Sequence, residues 1–333
     1  MSSSSLTRPS DLPSFGSRFF TAHKGEVTTA CFSADGRYAA TGSTDTSLKV
    51  LDVERMKKNP PSSVVLPVEE RPLIRTYYDH LDAVNDVLFH PNGRALVSCS
   101  DDGTIKVYDL QRVAVKKAFR QIQDSNPVKS ISFHPSGDFI LAGTTDSQVR
   151  LYDLQTLKCF LPANNTEGTH QGGICSVQFS PQGDFYVTSG EDGQIKIWNG
   201  VNGAAIHCIK AAHGDAAVTH VVISKTGQLL LSSGKDGIPR LWDIQSGKMV
   251  KEYATQTKDG PGAMRAVFTW DESFIMAVEG AAVTAWCSRT GKRYDRITAH
   301  SSPLRAVACS PIEDAMVTCG VDNKARFWVA EEK

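Results

Sequence analysis

One block of residues recurs along the chain about every 44 positions, and this period constrains the fold more than any other feature. The copies are ATGSTDTSLKVLD (residues 40–52), VSCSDDGTIKVYD (97–109), LAGTTDSQVRLYD (141–153), VTSGEDGQIKIWN (187–199), LSSGKDGIPRLWD (231–243) and VTCGVDNKARFW (317–328). A degenerate copy, AVEGAAVTAWC, covers 277–287. Six copies carry a turn aspartate, at Asp45, Asp102, Asp146, Asp192, Asp236 and Asp322, and Gly280 holds that place in the degenerate one. The steps between them are 57, 44, 46, 44, 44 and 42 residues. A unit this short cannot bury its own apolar face, so copies must stack against one another.

A second column stands upstream. His23, His80, His170, His213 and His300 precede their aspartates by 22, 22, 22, 23 and 22 residues. Each is followed by a short alternating apolar run (VTTACFS, VNDVLFH, ICSVQFS, VTHVVIS, LRAVACS), and then typically by a turn such as SADGR, HPNGR, HPSGD or SPQGD. Period-two alternation bounded by Gly, Pro, Asp and Asn predicts strands joined by hairpins. No stretch holds a 3.6-residue period over three turns, so the chain is expected to be all-β.

A third column is aromatic: Trp198, Trp242, Trp286 and Trp328, with Tyr108 and Tyr152 in two copies and Leu51 in the first. A period of 40–45 residues ending in a Trp-Asp pair resembles the WD40 repeat. Seven copies then imply a seven-bladed β-propeller of four-stranded blades. The last copy ends after three strands, whereas Arg18-Phe19-Phe20-Thr21-Ala22 precedes the first histidine without a blade of its own. This segment is expected to supply the missing outer strand, closing the ring and removing an open sheet edge. The expected organisation is a flexible Ser/Pro-rich tail over 1–17 and a propeller over 18–330. A Pro-containing insertion at 57–71 accounts for the long step between blades 1 and 2.

The resemblance also implies what the columns do. In WD-repeat proteins the aspartate orients the imidazole, which meets a strand hydroxyl, which meets the indole N–H. The sets here are His170-Thr188-Asp192-Trp198, His213-Ser232-Asp236-Trp242 and His300-Thr318-Asp322-Trp328. Partial sets are His23-Thr41-Asp45 and His80-Ser98-Asp102. A Ser/Thr-His-Asp trio could be read as hydrolytic. Recurrence once per blade argues otherwise, because a single active site does not repeat around a ring, and the same reasoning sets aside the histidines as metal ligands. Lys49, Lys106, Arg150, Lys196, Arg240 and Arg326 lie two residues before the aromatic column and are read as the solvated side of a strand with packed stems. Gly234-Lys235 lacks the spacing of a phosphate loop, and no HExxH, GxSxG, GxGxxG or EF-hand pattern occurs. No catalytic residue, cofactor or metal is therefore expected.

Lys plus Arg and Asp plus Glu each number 36, for a net charge of zero, which argues against gripping nucleic acid as the main task. No apolar run reaches the ~18 residues of a membrane span. The eight cysteines form no C-x-x-C pair and are read as reduced and structural.

Beyond the repeat, the chain resembles the WD-repeat subunits of cleavage stimulation factor. The segments carrying this are ATGSTDTSLKVLDVERM (40–56), PLIRTYYDHLDAV (72–84), VKSISFHPSGDFILAGT (128–144), VRLYDLQTLKCF (149–160), SSGKDG (232–237) and KARFW (324–328). LDVERM, a Pro-rich insertion and IRTYYDH in succession form the most specific part. The resemblance implies a non-enzymatic nuclear scaffold in mRNA 3′-end cleavage and polyadenylation. Its partners would be the HAT-repeat scaffold subunit and the RNA-recognition-motif subunit, with only indirect contact with pre-mRNA. That family carries a helical dimerisation module before its propeller; the start of this chain is a short Ser-rich tail, so homodimerisation is doubtful and the oligomeric state stays open. The residues preceding each turn aspartate, Thr44, Asp101, Thr145, Glu191, Lys235, Glu279 and Val321, with loop residues Glu26, Asp82 and Asp215, are expected on the partner-binding face. The alternatives are a generic WD40 adaptor in ubiquitin ligation or splicing, and a propeller that binds RNA directly through Lys116, Lys117 and Arg120 or Lys292 and Arg293.

Overall fold

The computed structural model describes residues 12–58, 70–112, 115–160, 169–255, 265–294 and 296–331. Among them the strands form seven four-stranded antiparallel sheets. Blade 1 runs outward from Val27–Phe32 through Tyr38–Ser43 and Ser47–Asp52 to Leu73–Tyr78. Blades 2 to 6 repeat this order, with innermost strands Val84–Phe89, Val128–Phe133, Ile174–Phe179, Val218–Ile223 and Ala266–Phe268.

Blade 7 joins both ends of the described chain. Leu304–Cys309, Ala315–Gly320 and Lys324–Ala330 form its inner three strands, and Phe15–Ala22 is the outermost. The pairing runs from Phe15 opposite Ala330 to Ala22 opposite Lys324, with a bulge between Ser17 and Phe19. The closure expected from the sequence is thus the closure observed, but the strand starts three residues before the expected boundary at 18. Phe19 packs into the core between blades 7 and 1, beside Phe327, Val27 and Leu51.

The core lies between blades. Ala40, Val50 and Tyr77 of blade 1 meet Val87, Leu96 and Tyr108 of blade 2, and Leu231, Leu241 and Tyr253 of blade 5 meet Ile275 and Trp286 of blade 6. Each sheet has both faces covered, which explains why even its middle strands are buried over nearly their whole length. The seven innermost strands surround a channel of about 440 Å3, lined from every blade. There, side chains stitch neighbouring blades together. The Asp86 carboxylate receives the Thr29 hydroxyl of blade 1 at 3.2 Å and the Ser130 hydroxyl and Ile131 N–H of blade 3, both at 3.2 Å. Ser132 and Gln178 accept N–H groups from Phe179 and Ile223 of the next blade.

The insertion begins later than expected. Val53–Lys58 forms a short helix capped by Asp52, whose Oδ1 accepts the Arg55 N–H at 3.0 Å, with Val53 and Met56 buried beneath. Lys57 and Lys58 therefore belong to this helix. Residues 59–69 of the insertion, and 1–11 of the expected tail, lie outside the described residues.

Candidate functional site

The side-chain columns fold into polar locks between strands of one blade. In blade 4, His170 Nδ1 donates to Asp192 at 2.9 Å. The Thr188 hydroxyl donates to His170 Nε2 at 2.8 Å and accepts the Trp198 indole N–H at 2.9 Å. His213-Ser232-Asp236-Trp242 and His300-Thr318-Asp322-Trp328 repeat the chain with every link between 2.7 and 2.9 Å. The imidazoles are buried, so each ring N–H and each hydroxyl needs a partner, and the chain provides it. Burial alone would push the Asp192 carboxyl up; bonds from His170 and from the Gln171 and Gln194 N–H groups outweigh it and hold the group at about 2.

The partial sets depart from this scheme in ways that need extra residues. In blade 1, Ser47 stands between the imidazole and the acid: His23 Nδ1 lies 2.8 Å from Ser47 Oγ and 3.5 Å from Asp45. Thr41 still reaches His23 Nε2, at 2.9 Å. In blade 2, His80 binds Asp102 at 2.9 Å and Ser98 at 2.7 Å, and Thr104 sits 3.1 Å from the same Nδ1. Sequence reading passed over Ser47 and Thr104, although a hydroxyl two residues after the turn aspartate was there to be seen. Blade 3 has no histidine in the lock column. Asp124 occupies its position, 22 residues before Asp146. It accepts the Tyr152 hydroxyl at 2.6 Å, and Arg150 bridges Asp124 and Asp146.

Blade 6 corrects one expectation. Its hairpin has only two residues, Gly280 and Ala281, between Phe274–Glu279 and Ala282–Cys287, with Glu279 opposite Ala282. The other hairpins of this kind in blades 1, 2 and 7 have three. Losing one residue draws Glu279 into the strand, where it is 3% exposed. Its carboxylate accepts Thr284 Oγ1 at 2.6 Å and Arg293 at 3.0 Å. Glu279 is thus part of an internal lock and not a partner-facing residue, and Arg293 is engaged there as well.

The cation column also differs from a solvated strand face. Lys106 and Lys196 are buried, and their ammonium groups donate to the backbone carbonyls of Asp79 and Thr169, the residues just before the histidines of their blades. Lys49 reaches the equivalent carbonyl of Ala22. Arg150 and Arg240 instead reach the turn aspartates Asp146 and Asp236. A ring of free cations is therefore not what this column builds.

The remaining surface candidates share one end of the ring. Thr44, Asp101, Thr145, Glu191, Lys235 and Val321 all donate their backbone N–H to the loop entering the innermost strand, at Glu26, Ala83, Pro127, Gly173, Ala217 and Pro303. Thr44, Thr145, Glu191 and Lys235 are exposed, as are Asp82 and Asp215. Asp101 and Val321 are half-buried, and Asp101 is paired with Lys129 of blade 3 at 2.6 Å. Glu26 is half-buried and paired with Arg305 of blade 7 at 2.7 Å. The His-Asp pairs lie in separate blades, and none of them lines the central channel.

Six segments, 16–52, 71–109, 117–153, 164–199, 206–243 and 291–329, match the family model described as WD domain, G-beta repeat. The chain is 39% identical over 320 residues to cleavage stimulation factor subunit 50 of Arabidopsis thaliana, covering 95% of this chain and 73% of that one. The chain belongs to this WD40 family. Two other similarities are local: 34% identity over 91 residues to target of rapamycin complex subunit wat1 of Schizosaccharomyces pombe, covering 27% and 24% of the two chains, and 27% over 113 residues to a guanine nucleotide-binding protein subunit beta of Zea mays, covering 34% and 26%. The unmatched stretch between 243 and 291 contains the inner three strands of blade 6, where the histidine and aspartate are missing and the hairpin is short, yet the sheet of that WD40 blade forms all the same.

Proposed function

We propose that this chain is a non-enzymatic scaffold subunit of a cleavage stimulation factor assembly, acting in the nucleus in mRNA 3′-end cleavage and polyadenylation. The observation that carries this reading is the 39% identity to cleavage stimulation factor subunit 50 sustained across 95% of the chain, where the local matches cover 27% and 34% of it. The mechanism is rigid display. Interblade packing and internal locks fix the loops, and a partner segment lies across them without reordering the ring, so little entropy is lost on binding. Its partners are the HAT-repeat scaffold subunit and the RNA-recognition-motif subunit, and pre-mRNA is reached through them.

The exposed carboxylates Asp82, Glu191 and Asp215 at one end of the ring favour a basic or hydrogen-bond-rich partner segment. Affinity purification of the tagged chain followed by mass spectrometry tests the assembly. Recovery of polyadenylation factors is the expected result; recovery of cullin or splicing components in their place would overturn it. Charge reversal at Glu191 and Asp82 is expected to weaken recovery of the scaffold subunit, and undiminished recovery would assign binding to another surface.

A further inference from the structure

The end of the ring opposite the locks carries a second circuit of contacts, and it is broken at one seam. Each blade turns there between its two innermost strands. His90 of blade 2 hydrogen-bonds to the Gly137 carbonyl of blade 3 at 3.0 Å. His134 of blade 3 fills the space above Gly183 of blade 4 and meets Phe179 edge-on at 5.2 Å. Gln182 of blade 4 covers Gly227 of blade 5. Lys225 of blade 5 donates to the Trp270 carbonyl of blade 6, Trp270 donates to Asp314 of blade 7 at 2.8 Å, and Ile312 of blade 7 covers Gly36 of blade 1.

The seventh seam, from blade 1 to blade 2, lacks such a contact among the described residues: a Cβ built on Gly93 would meet no atom within 4 Å. The cause is local chemistry. The blade 1 turn is Ser33-Ala34-Asp35, in which Ala34 is too short to cross and Ser33 donates to Asp35 within the turn at 2.6 Å.

A cavity of about 240 Å3 opens at this seam, lined by Tyr38, Val50, Ile74 and Arg75 of blade 1 and by Gly93, Arg94, Leu110 and Gln111 of blade 2. It is smaller than the roughly 300–1,000 Å3 typical of a small-molecule site and suits one large apolar side chain. Ile74 remains 41% exposed at its wall. The charge around it has one sign in excess. Arg75 is buried, and its guanidinium donates to neutral oxygens: the Tyr77 hydroxyl at 2.9 Å and the Asp109 and Arg112 carbonyls at 3.4 and 3.3 Å. Arg94 is exposed, and neither Arg75 nor Arg94 appears in an ion pair among the described residues. Among the described residues, Asp109, whose carbonyl Arg75 reaches, has its carboxylate held by Arg112 at 3.2 Å. Buried cations ordinarily have an anionic partner.

We infer that the seam between blades 1 and 2 is a docking groove for a peptide segment of another protein, which inserts one apolar side chain and sets carboxylates against Arg75 and Arg94. The inference rests on the reading of the ring as a partner-binding scaffold, and adds a second contact surface of opposite charge preference on its other end.

The test uses the full chain and a displayed library of random twelve-residue peptides. Selection is expected to enrich a large apolar residue beside Asp or Glu. A fluorescein-labelled copy of the most enriched peptide is expected to bind at least tenfold more weakly to Arg94→Glu and to Ile74→Ser, and equally well to Lys248→Glu on distant blade 5. Its affinity should fall as salt rises. All three positions are exposed, and unchanged thermal unfolding of each variant verifies that the fold is intact. No enrichment, enrichment of peptides without carboxylates, or binding indifferent to both groove substitutions would overturn the inference. A concentration-dependent dimer abolished by Arg94→Glu would assign the groove to a second copy and overturn it too. Recovery of polyadenylation factors that ignores the groove substitutions would sink the groove alone; groove-dependent peptide binding without those factors would sink the functional reading alone.

Discussion

Tyr152 donates its phenolic proton to Asp124 at 2.6 Å, and through that bond blade 3 keeps a lock without the histidine used in its neighbours. Asp124 is buried and also faces Arg150 at 3.2 Å, so one carboxylate serves a phenol and a guanidinium. Burial together with the bond to Asp124 pushes the Tyr152 hydroxyl far above its ordinary range, which keeps it a donor. Asp124→Ala would leave the Tyr152 hydroxyl without its acceptor and Arg150 with Asp146 alone. The expected loss is about 3 kcal/mol in urea-induced unfolding, with Asp124→Asn losing less because it still accepts from Tyr152.

Thr188 is the pivot of the blade 4 lock, since its one hydroxyl serves both His170 and Trp198. Thr188→Val keeps the shape and removes the hydroxyl, leaving two buried ring nitrogens without partners. A loss of roughly 2–4 kcal/mol is expected, while Thr188→Ser should stay within about 1 kcal/mol of the parent. Equal losses for the two variants in denaturant titration would show that packing, and not the hydroxyl, matters there.

Ring closure predicts a non-local effect. Removal of residues 15–22 would expose the whole edge of Lys324–Ala330 and take Phe19 from the core between blades 7 and 1. The melting temperature should fall by roughly 10 °C or more, because the cost falls on the cooperative unit and not on a frayed end. Scanning calorimetry checks this, and a small separate transition for blade 7 would contradict it.

Acid should destabilise the ring through its buried histidines, with His23 of blade 1 among those lowered by burial, as are His220 of blade 5 and His300 of blade 7. Burial, aided by the nearby Lys49 charge, lowers the His23 imidazole to about 4, below its ordinary 6.5. A histidine depressed on folding contributes stability that is complete above 6.5 and is lost as pH falls towards 4. That loss amounts to about 3 kcal/mol. Carboxylates such as Asp45 and Asp192, held at about 2, contribute in the same direction at lower pH. His23→Gln should flatten the stability profile between pH 6.5 and 4, as measured by urea midpoints.

Much of this arrangement was legible in the primary structure because each element occurs several times. The interval of 22 or 23 residues from histidine to aspartate survives insertions elsewhere, and the Trp column marks a strand end even where Tyr or Leu replaces it. Reading was weakest where a single copy changed chemistry. Asp124 stands in the histidine column, yet an acid there has no obvious partner until Arg150 and Tyr152 fold over it. Glu279 sat next to the aligned turn glycine and read as exposed; the deletion of one hairpin residue reversed the direction of its side chain. Lys106 and Lys196 occupied positions that alternate as a solvated face would, but the carbonyls of Asp79 and Thr169 lie within reach of their ammonium groups.

The chain by itself determined the number of blades, the strands within each and the residues of the repeated locks, since hydrophobic alternation, turn chemistry and hydrogen-bonding needs act over a few neighbouring residues and recur. Only the tertiary structure decided which polar groups are spent inside the ring and which face outward. Ala34 and Gly93 show why: each is an ordinary turn residue in its own blade, and the gap between them exists only when two turns 59 residues apart are set side by side by the packing of neighbouring blades.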